Sequence, residues 1–257
     1  MKAEKIIELI EKVCPKNLAY SWDNVGLLCG DKNKEVKKVF ITLDSNITTV
    51  KEAVEKGADM IISHHPILLN GIRRIDYSTA EGQMLKLLIE NDIPLFAAHT
   101  NMDTVKGGIN DYLSKLFSLL DVKILEQHTD DKTAGLGRFG KLDKSVTFGE
   151  FADICSKTLN THVRAAGDFD KIIKTVAVAS GSCSEIIPTA KEKGADVIIT
   201  GDMKYHNMID MTELGICVID AGHYPTEICV INIFENVLKN TDVEIIKSEN
   251  KDIFKFI

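Results

Sequence analysis

Ile61-Ile62-Ser63-His64-His65-Pro66 places two histidines directly after an apolar run in this 257-residue chain. The branched apolar pair predicts the end of a buried strand, and the proline predicts a turn after it. In open α/β sheets, ligands bind at the carboxyl ends of the strands. The two imidazoles therefore mark the first candidate site of the protein.

The residues before this stretch predict a parallel sheet. Residues 38–44 are typical of a strand, residues 48–56 of a helix that Gly57 ends, and residues 59–63 of the next strand. A strand, a helix and a strand joined by short loops form a βαβ unit, whose two strands lie parallel.

The same pattern occurs twice in the chain. Residues 38–63 align without a gap to residues 175–200, most clearly as Glu-Lys-Gly-Ala-Asp-Met-Ile-Ile-Ser against Glu-Lys-Gly-Ala-Asp-Val-Ile-Ile-Thr. Residues 98–103 also match residues 222–227, which gives His-x-x-x-acid in each half. Similar physics in all α/β units is the alternative explanation, but two matches in the same order favour a duplication.

We therefore predict an α/β fold of two similar duplicated halves, with their strand ends facing a shared cleft. The first half is expected at 1–126 and the second at 127–257, with the polar loop 127–133 at the boundary. The tail, residues 252–257, alternates apolar and polar residues like a short edge strand. Residues 225–238 predict a single helix with Pro225 at its first position.

Composition narrows the class of protein. Hydrophobic residues make up 44% and charged residues 27%, as in soluble globular proteins, and the net charge of −7 makes nucleic acid an unlikely general partner. The sequence predicts neither a signal peptide nor a membrane span, so we expect a cytoplasmic protein. The six cysteines form no C-x-x-C pair and are interpreted as buried thiols.

Imidazoles and carboxylates gather at the predicted strand ends. Together they suit zinc, iron, manganese, cobalt or nickel, and a bridging carboxylate would complete a site for two ions roughly 3.5–4 Å apart. Taken singly, each has an ordinary alternative: Asp44 or Asp103 as a helix cap, His206 on a helix face. Their joint occurrence in both halves favours a metal site, whose candidate ligands are His64, His65, His99, Asp103, His223 and Glu227.

Hydrolysis is the reaction class that this set favours. The sequence has no Gly-x-Ser-x-Gly elbow, no P-loop and no dinucleotide fingerprint. A pair of metal ions supplies hydroxide near neutral pH without any of these motifs.

At these residues the chain resembles the GTP cyclohydrolase 1 type 2 homologues, also called the NGG-interacting-factor-three-like family. The resemblance runs nearly from end to end, and Ser-His-His-Pro together with Gly-His-x-x-x-Glu makes it specific. The matching stretches are Trp22-Asp23-Asn24-Val25-Gly26-Leu27, Ser63-His64-His65-Pro66, His99-Thr100-Asn101-Met102-Asp103, Thr200-Gly201-Asp202 and Asp220-Ala221-Gly222-His223-Tyr224-Pro225-Thr226-Glu227.

The resemblance implies a complete dinuclear site. Two divalent ions would be held by His64, His65, Asp103, His223 and Glu227, with Glu227 as the bridge. His99 would lie beside them as the catalytic residue, either as a group that contacts the ligands or as a proton shuttle. The family more often has Glu where this chain has Asp202, and the resemblance assigns no role to Asp202, Lys204 or His206.

The resemblance also implies an activity and an assembly. A metal-bound hydroxide would open the imidazole ring of GTP or act on a related nucleotide-like molecule. The chain would assemble with itself into a toroidal homohexamer with the dimetal sites facing an inner cavity, and it is too short for the inserted ferredoxin-like domain of some members. The alternatives are a ring-forming metal-binding assembly protein without turnover, and a metallo-phosphoesterase.

Overall fold

The computed structural model of the protein describes residues 1–128, 131–249 and 251–256. The chain divides into two compact units. Unit 1 is Met1–Met102 with Val230–Lys251, and unit 2 is Asp103–Cys229 with Asp252–Ile257. The repeat boundary at 126/127 is a different division and stays a prediction. Thr129 and Asp130, inside the loop predicted at that boundary, lie outside the described residues.

Both units contain helices and strands. The strands are β1 Gly26–Cys29, β2 Lys38–Thr42, β3 Met60–Ser63, β4 Leu95–Ala97, β5 Leu120–Glu126, β6 Leu136–Thr147, β7 Arg164–Ala166, β8 Ile172–Ser182, β9 Val197–Gly201, β10 Cys217–Asp220 and β11 Glu244–Lys247. The helices are α1 Ala3–Val13, α2 Ile47–Glu55, α3 Ala80–Glu90, α4 Thr100–Thr104, α5 Ile109–Leu116, α6 Phe148–Leu159, α7 Ile187–Glu192, α8 Tyr205–Glu213, α9 His223–Glu227 and α10 Val230–Leu238.

Each unit contains one sheet. In unit 1 the strand order is β1-β4-β3-β2-β11, with β1 antiparallel to a parallel remainder. In unit 2 the order is β5-β6-β8-β9-β10-β7, with β8, β9 and β10 parallel. The two sheets share one pattern. Three neighbouring parallel strands, β2-β3-β4 or β8-β9-β10, are followed at the edge by a short antiparallel strand, β1 or β7. The predicted α/β fold of two similar halves is confirmed.

The duplication extends to the strand register. Val39 pairs with Met60 across β2 and β3, and the repeat-related Val176 pairs with Val197 across β8 and β9. A carboxylate closes each βαβ unit in the same way: Asp59 accepts from the amides of Lys37 and Lys38, and Asp196 accepts from those of Lys174 and Thr175. Equal registers and equal closing bonds support descent of both units from one ancestral segment.

The second predicted match is wrong by one residue. Ala98 donates its amide to Ser63, and Ala221 donates its amide to Thr200, so these two alanines are the equivalent positions. His99 therefore precedes α4, whereas His223 is the first residue of α9. Gly222, with a φ of +83°, is therefore the residue equivalent to His99. The His-x-x-x-acid motif thus begins one position later in the second loop than in the first.

Two further predictions about helix and strand limits are wrong. Pro225 is the third residue of α9, and α10 begins as a separate helix at Val230, so residues 225–238 are not one helix. Residues 252–256 form no strand, and Ile257 lies outside the described residues. Alternation predicts a strand only where a partner strand is available, and none pairs with this tail among the described residues.

Among the residues that the structure describes, no helix is both long and apolar enough to cross a bilayer.

Candidate metal centre

Three histidines cluster in unit 1 at the ends of neighbouring parallel strands. His64 and His65 follow β3, and His99 follows β4. The ring centroids are 5.0 Å apart for His64 and His65, 5.1 Å for His64 and His99, and 5.4 Å for His65 and His99. One ring nitrogen from each lies within 4.8 Å of the other two, so the cluster can hold a metal ion.

The Nδ1 atom of each of these rings contacts a fixed oxygen acceptor. Such a bond sets the tautomer and the ring orientation, and it directs Nε2 to act as the coordinating nitrogen. This is the arrangement that metal-binding histidines adopt in proteins. The three contacts are His64 to the Ala98 carbonyl at 2.8 Å, His65 to Asp44 at 2.7 Å and His99 to Asp23 at 2.9 Å.

Asp23 is fixed by several donors at once. It accepts from His99 Nδ1, from the Thr100 amide at 3.0 Å and from the Thr100 hydroxyl. Burial by itself raises the pKa of this carboxyl, but the hydrogen bonds from His99 and Thr100 outweigh it and hold the pKa at about 2. Asp23 is therefore ionised at neutral pH, and its carboxylate can accept a hydrogen bond from His99 Nδ1.

We expect Asp23→Asn to lower stability in a way that depends on pH. The folded-state pKa of about 2 lies below the usual value of 3.8, so the carboxylate stabilises the fold above about pH 4. That contribution, about 2 kcal/mol, is lost as the pH falls from 4 to 2. Urea unfolding of chelator-treated wild type and variant between pH 2 and pH 7 measures it. A difference in unfolding free energy that stays constant down to pH 2 would contradict this assignment.

Unit 2 carries its own imidazole with a carboxylate behind it. His223 Nδ1 contacts Asp202 Oδ2 at 2.8 Å, and His223 Nε2 lies 2.9 Å from Glu227 Oε2 one turn along α9. Asp202 directly follows β9 with a left-handed φ of +54°, which turns its side chain back to the histidine. The shorter acid at this position therefore orients His223.

Asp103 is held in place by a buried polar network in unit 2. Ser180 donates its hydroxyl to Asp103 Oδ1 at 3.0 Å, and Asn110 donates to the Asp103 carbonyl at 3.0 Å. Asn110 also accepts from the Ser180 amide at 2.9 Å, so the two residues fix each other. All three are buried.

Asp103 and Glu227 form a buried acid pair. Their exposed fractions are 6% and 3%, and a carboxylate oxygen of one lies within 4.8 Å of a carboxylate oxygen of the other. Two like charges in a low-dielectric interior repel each other strongly unless a cation or a proton compensates them. This donor set therefore fits a divalent ion.

A buried arginine anchors the end of α4, which carries Asp103. Arg138 is 2% exposed and donates to the carbonyls of Thr104 and Val105, at 3.4 and 3.1 Å. Its guanidinium also makes a bidentate pair with Asp111, at 2.8 and 3.1 Å. Because these bonds tie the end of α4 to Asp111 on α5, Arg138 restricts the movement of the Asp103 backbone.

A glycine makes room for the second acid. Gly181 lies in β8 with a φ of +66°, and a Cβ at this position would be 2.2 Å from Glu227 Oε1 and 3.2 Å from His223 Nε2. Its amide donates to Thr226 on the same helix at 3.0 Å. Only glycine lets the strand approach α9 so closely.

The thiols are poor candidates for nucleophiles or ligands. Burial raises the pKa of Cys14 and Cys155 to about 12. Burial, reinforced by nearby carboxylates, also raises the pKa of Cys183 and Cys229. All four are uncharged at neutral pH, as expected for buried cysteines.

The structure sorts the predicted site residues into two groups. His64, His65 and His99 lie together in unit 1, and His223, Glu227 and Asp103 lie together in unit 2. Their assignment as ligands and as a catalytic group stays a prediction. His206 lies on α8, and its ring packs edge-on against Tyr205 at 5.5 Å.

Sequence reasoning missed the residues that orient the ligands. Asp44 contacts His65, and the cap of α2 is Asn46. Asp23 lies in the stretch Trp22-Asp23-Asn24-Val25-Gly26-Leu27, but the sequence assigned it no role. Gly181, inside β8, was a detectable signal that another part of the chain approaches this strand closely. Asn110 and Ser180 gave no signal, because small polar residues are common at helix ends and in strands.

Known proteins match the whole chain. The family model described as Duf34/NIF3 (NGG1p interacting factor 3) matches residues 1–253. A "GTP cyclohydrolase 1 type 2 homolog" of Clostridium perfringens is 40% identical over 262 aligned residues, covering 100% of both chains.

Solved structures share the fold. A Bacillus cereus protein related to NIF3 superposes with a TM-score of 0.91 at 27% identity, covering 100% of this chain and 99% of that one. Reduced HcgD from Methanocaldococcus jannaschii superposes with a TM-score of 0.85 at 39% identity, covering 97% and 98%.

Proposed function

The chain belongs to the Duf34/NIF3 family, and from this premise we propose that it is a dinuclear-metal-dependent hydrolase acting on GTP or a related nucleotide. His64, His65, Asp103, His223 and Glu227 bind two divalent ions in this proposal, with Glu227 as the bridge. The homohexameric ring belongs to the same proposal.

One observation carries the proposal: four of the five proposed ligands are each oriented by a hydrogen-bond partner behind them. His64, His65 and His223 each contact an oxygen acceptor through Nδ1, and the Ser180 hydroxyl holds the Asp103 carboxylate. Hydrogen bonds of this kind, made by the ring nitrogen that does not coordinate, are typical of metal-binding histidines. A histidine at the surface does not require them.

The chemistry follows from the donor set. Divalent ions held by these side chains would supply the Lewis acidity that makes water a nucleophile near neutral pH. His99 takes up the proton of the attacking water at Nε2, because its Nδ1 contacts Asp23. The Asp23 carboxylate stabilises the imidazolium that results.

Ring opening is the reaction that we propose for a guanine nucleotide. Water adds to C8 of the imidazole ring, and its first proton passes through His99 to N7. The bond from C8 to N9 then breaks, the C8 hydroxyl becomes the formyl carbonyl, and its proton goes to N9. Hydrolysis of the resulting formamide with a second water releases formate. Relatives carrying the name "GTP cyclohydrolase 1 type 2 homolog" support GTP as the first substrate to test.

The test is a turnover assay with metal removal. We expect metal-loaded protein to consume GTP and release formate, and a chelator followed by dialysis to stop both. Readdition of zinc, iron, manganese, cobalt or nickel singly identifies the active metal by recovery. Absence of formate with all five metals, at full metal occupancy, would overturn the GTP assignment, and a panel of phosphodiesters would then test the phosphoesterase alternative.

A further inference from the structure

A pocket in unit 2 lies beside the residue that orients His223. Its volume is about 350 Å³, within the range of roughly 300–1,000 Å³ typical of ligand pockets. Asp202, Asp220 and Gly222 line one side of it. Asp202 directly follows β9, and Gly222 lies two residues after the end of β10, so the pocket lies at the carboxyl ends of parallel strands, where α/β sheets bind ligands.

Aromatic side chains also line the pocket. His162 and Phe256 have ring centroids 4.7 Å apart at an interplanar angle of 32°, so they form a close, tilted pair. Phe254 also lines the pocket. Phe254 and Phe256 are 66% and 59% exposed, so each keeps most of its surface accessible. Exposed aromatic faces in a pocket are the usual platform on which planar rings stack.

Two cationic side chains also line the pocket, together with the carboxylate of Asp252. Lys255 stands between the two phenylalanines in the chain, and Arg164 lines the pocket with 62% of its side chain exposed. The Arg164 guanidinium donates to the Met203 carbonyl at 2.8 Å and pairs with Asp220, which fixes its position. Stacking rings next to a fixed guanidinium and an ammonium suit a planar heterocycle that carries phosphate.

We propose that this pocket binds the base of a purine nucleotide, with the base stacked on Phe256 and His162 and the phosphate near Arg164 and Lys255. The choice of nucleotide rests on the proposed function, whereas the pocket and its aromatic pair do not. A base bound here lies next to Asp202 and so one hydrogen bond away from His223.

Titration calorimetry of the full-length protein with GMP tests this inference. We expect Phe256→Ala and His162→Ala to weaken GMP binding about tenfold or more, since stacking on an aromatic ring accounts for that much affinity. Phe256→Tyr, which keeps the aromatic face, is expected to bind like the wild type. The matched control is Ile253→Ala, because Ile253 lies in the same tail, is 85% exposed and does not line the pocket.

The outcomes separate this inference from the enzymatic one. Equal GMP affinity in wild type, Phe256→Ala and His162→Ala would overturn it, as would equal affinity for ribose 5-phosphate, which has no base. Formate is measured in the same samples with GTP as substrate. Binding that depends on Phe256 without any formate release would leave the pocket assignment standing and would count against the proposed reaction alone.

Discussion

Replacing Glu227 with alanine is expected to abolish GTP turnover and to weaken metal binding more than about 100-fold. Loss of a partner behind a ligand already lowers metal affinity about 10–100-fold, and removal of a proposed bridging ligand should exceed that. Glu227 is 3% exposed and lies 2.9 Å from His223, so water cannot easily replace its carboxylate. His65→Ala removes a proposed ligand from unit 1 and is expected to have the same effect on turnover.

Metal analysis after dialysis and thermal unfolding with and without metal measure this effect. Glu227→Gln tests the direction of the change in stability. It removes the negative charge beside Asp103 and keeps the shape of the side chain. Without metal it should unfold at the wild-type temperature or above, and with metal it should show none of the stabilisation of the wild type. The control is Glu213→Ala, at an exposed position on α8. Wild-type metal content and turnover in Glu227→Ala would remove this residue from the site.

The second large effect is expected at Gly181. A Cβ at 2.2 Å from Glu227 Oε1 and 3.2 Å from His223 Nε2 must displace the carboxylate, because the contact is far inside normal packing distance. Gly181→Ala should therefore reduce metal affinity and turnover at least about tenfold. Metal titration and the formate assay measure the two losses.

Gly57→Ala is the matched control for this substitution. Gly57 has the same φ of +66°, and nothing lies within 4 Å of the position of its Cβ. Both variants thus carry the same backbone strain, of order 1–2 kcal/mol, and only Gly181→Ala adds the collision with the acid. Equal loss of metal affinity in the two variants would show that strain alone explains the effect.

The local sequence pattern was enough to predict that His64 and His65 lie at the end of a strand. Apolar β-branched residues followed by a turn predicted β3, and the βαβ order predicted a parallel neighbour. The repeat was visible because the helix stop at Gly57 and the strand after it recur together at Gly194. The one-residue offset between His99 and His223 was not readable, since an ungapped alignment cannot show a one-residue shift in a loop.

The sequence alone thus determined the α/β class, the duplication and the types of side chain at the strand ends, because continuous apolar runs and short loops are local properties. Only the tertiary structure determined how those side chains are held. Asp23 meets His99, Ser180 meets Asp103 and Gly181 meets Glu227 across long stretches of chain. Such contacts depend on how strands align in a sheet and on how closely a helix packs against it, and no local pattern encodes either.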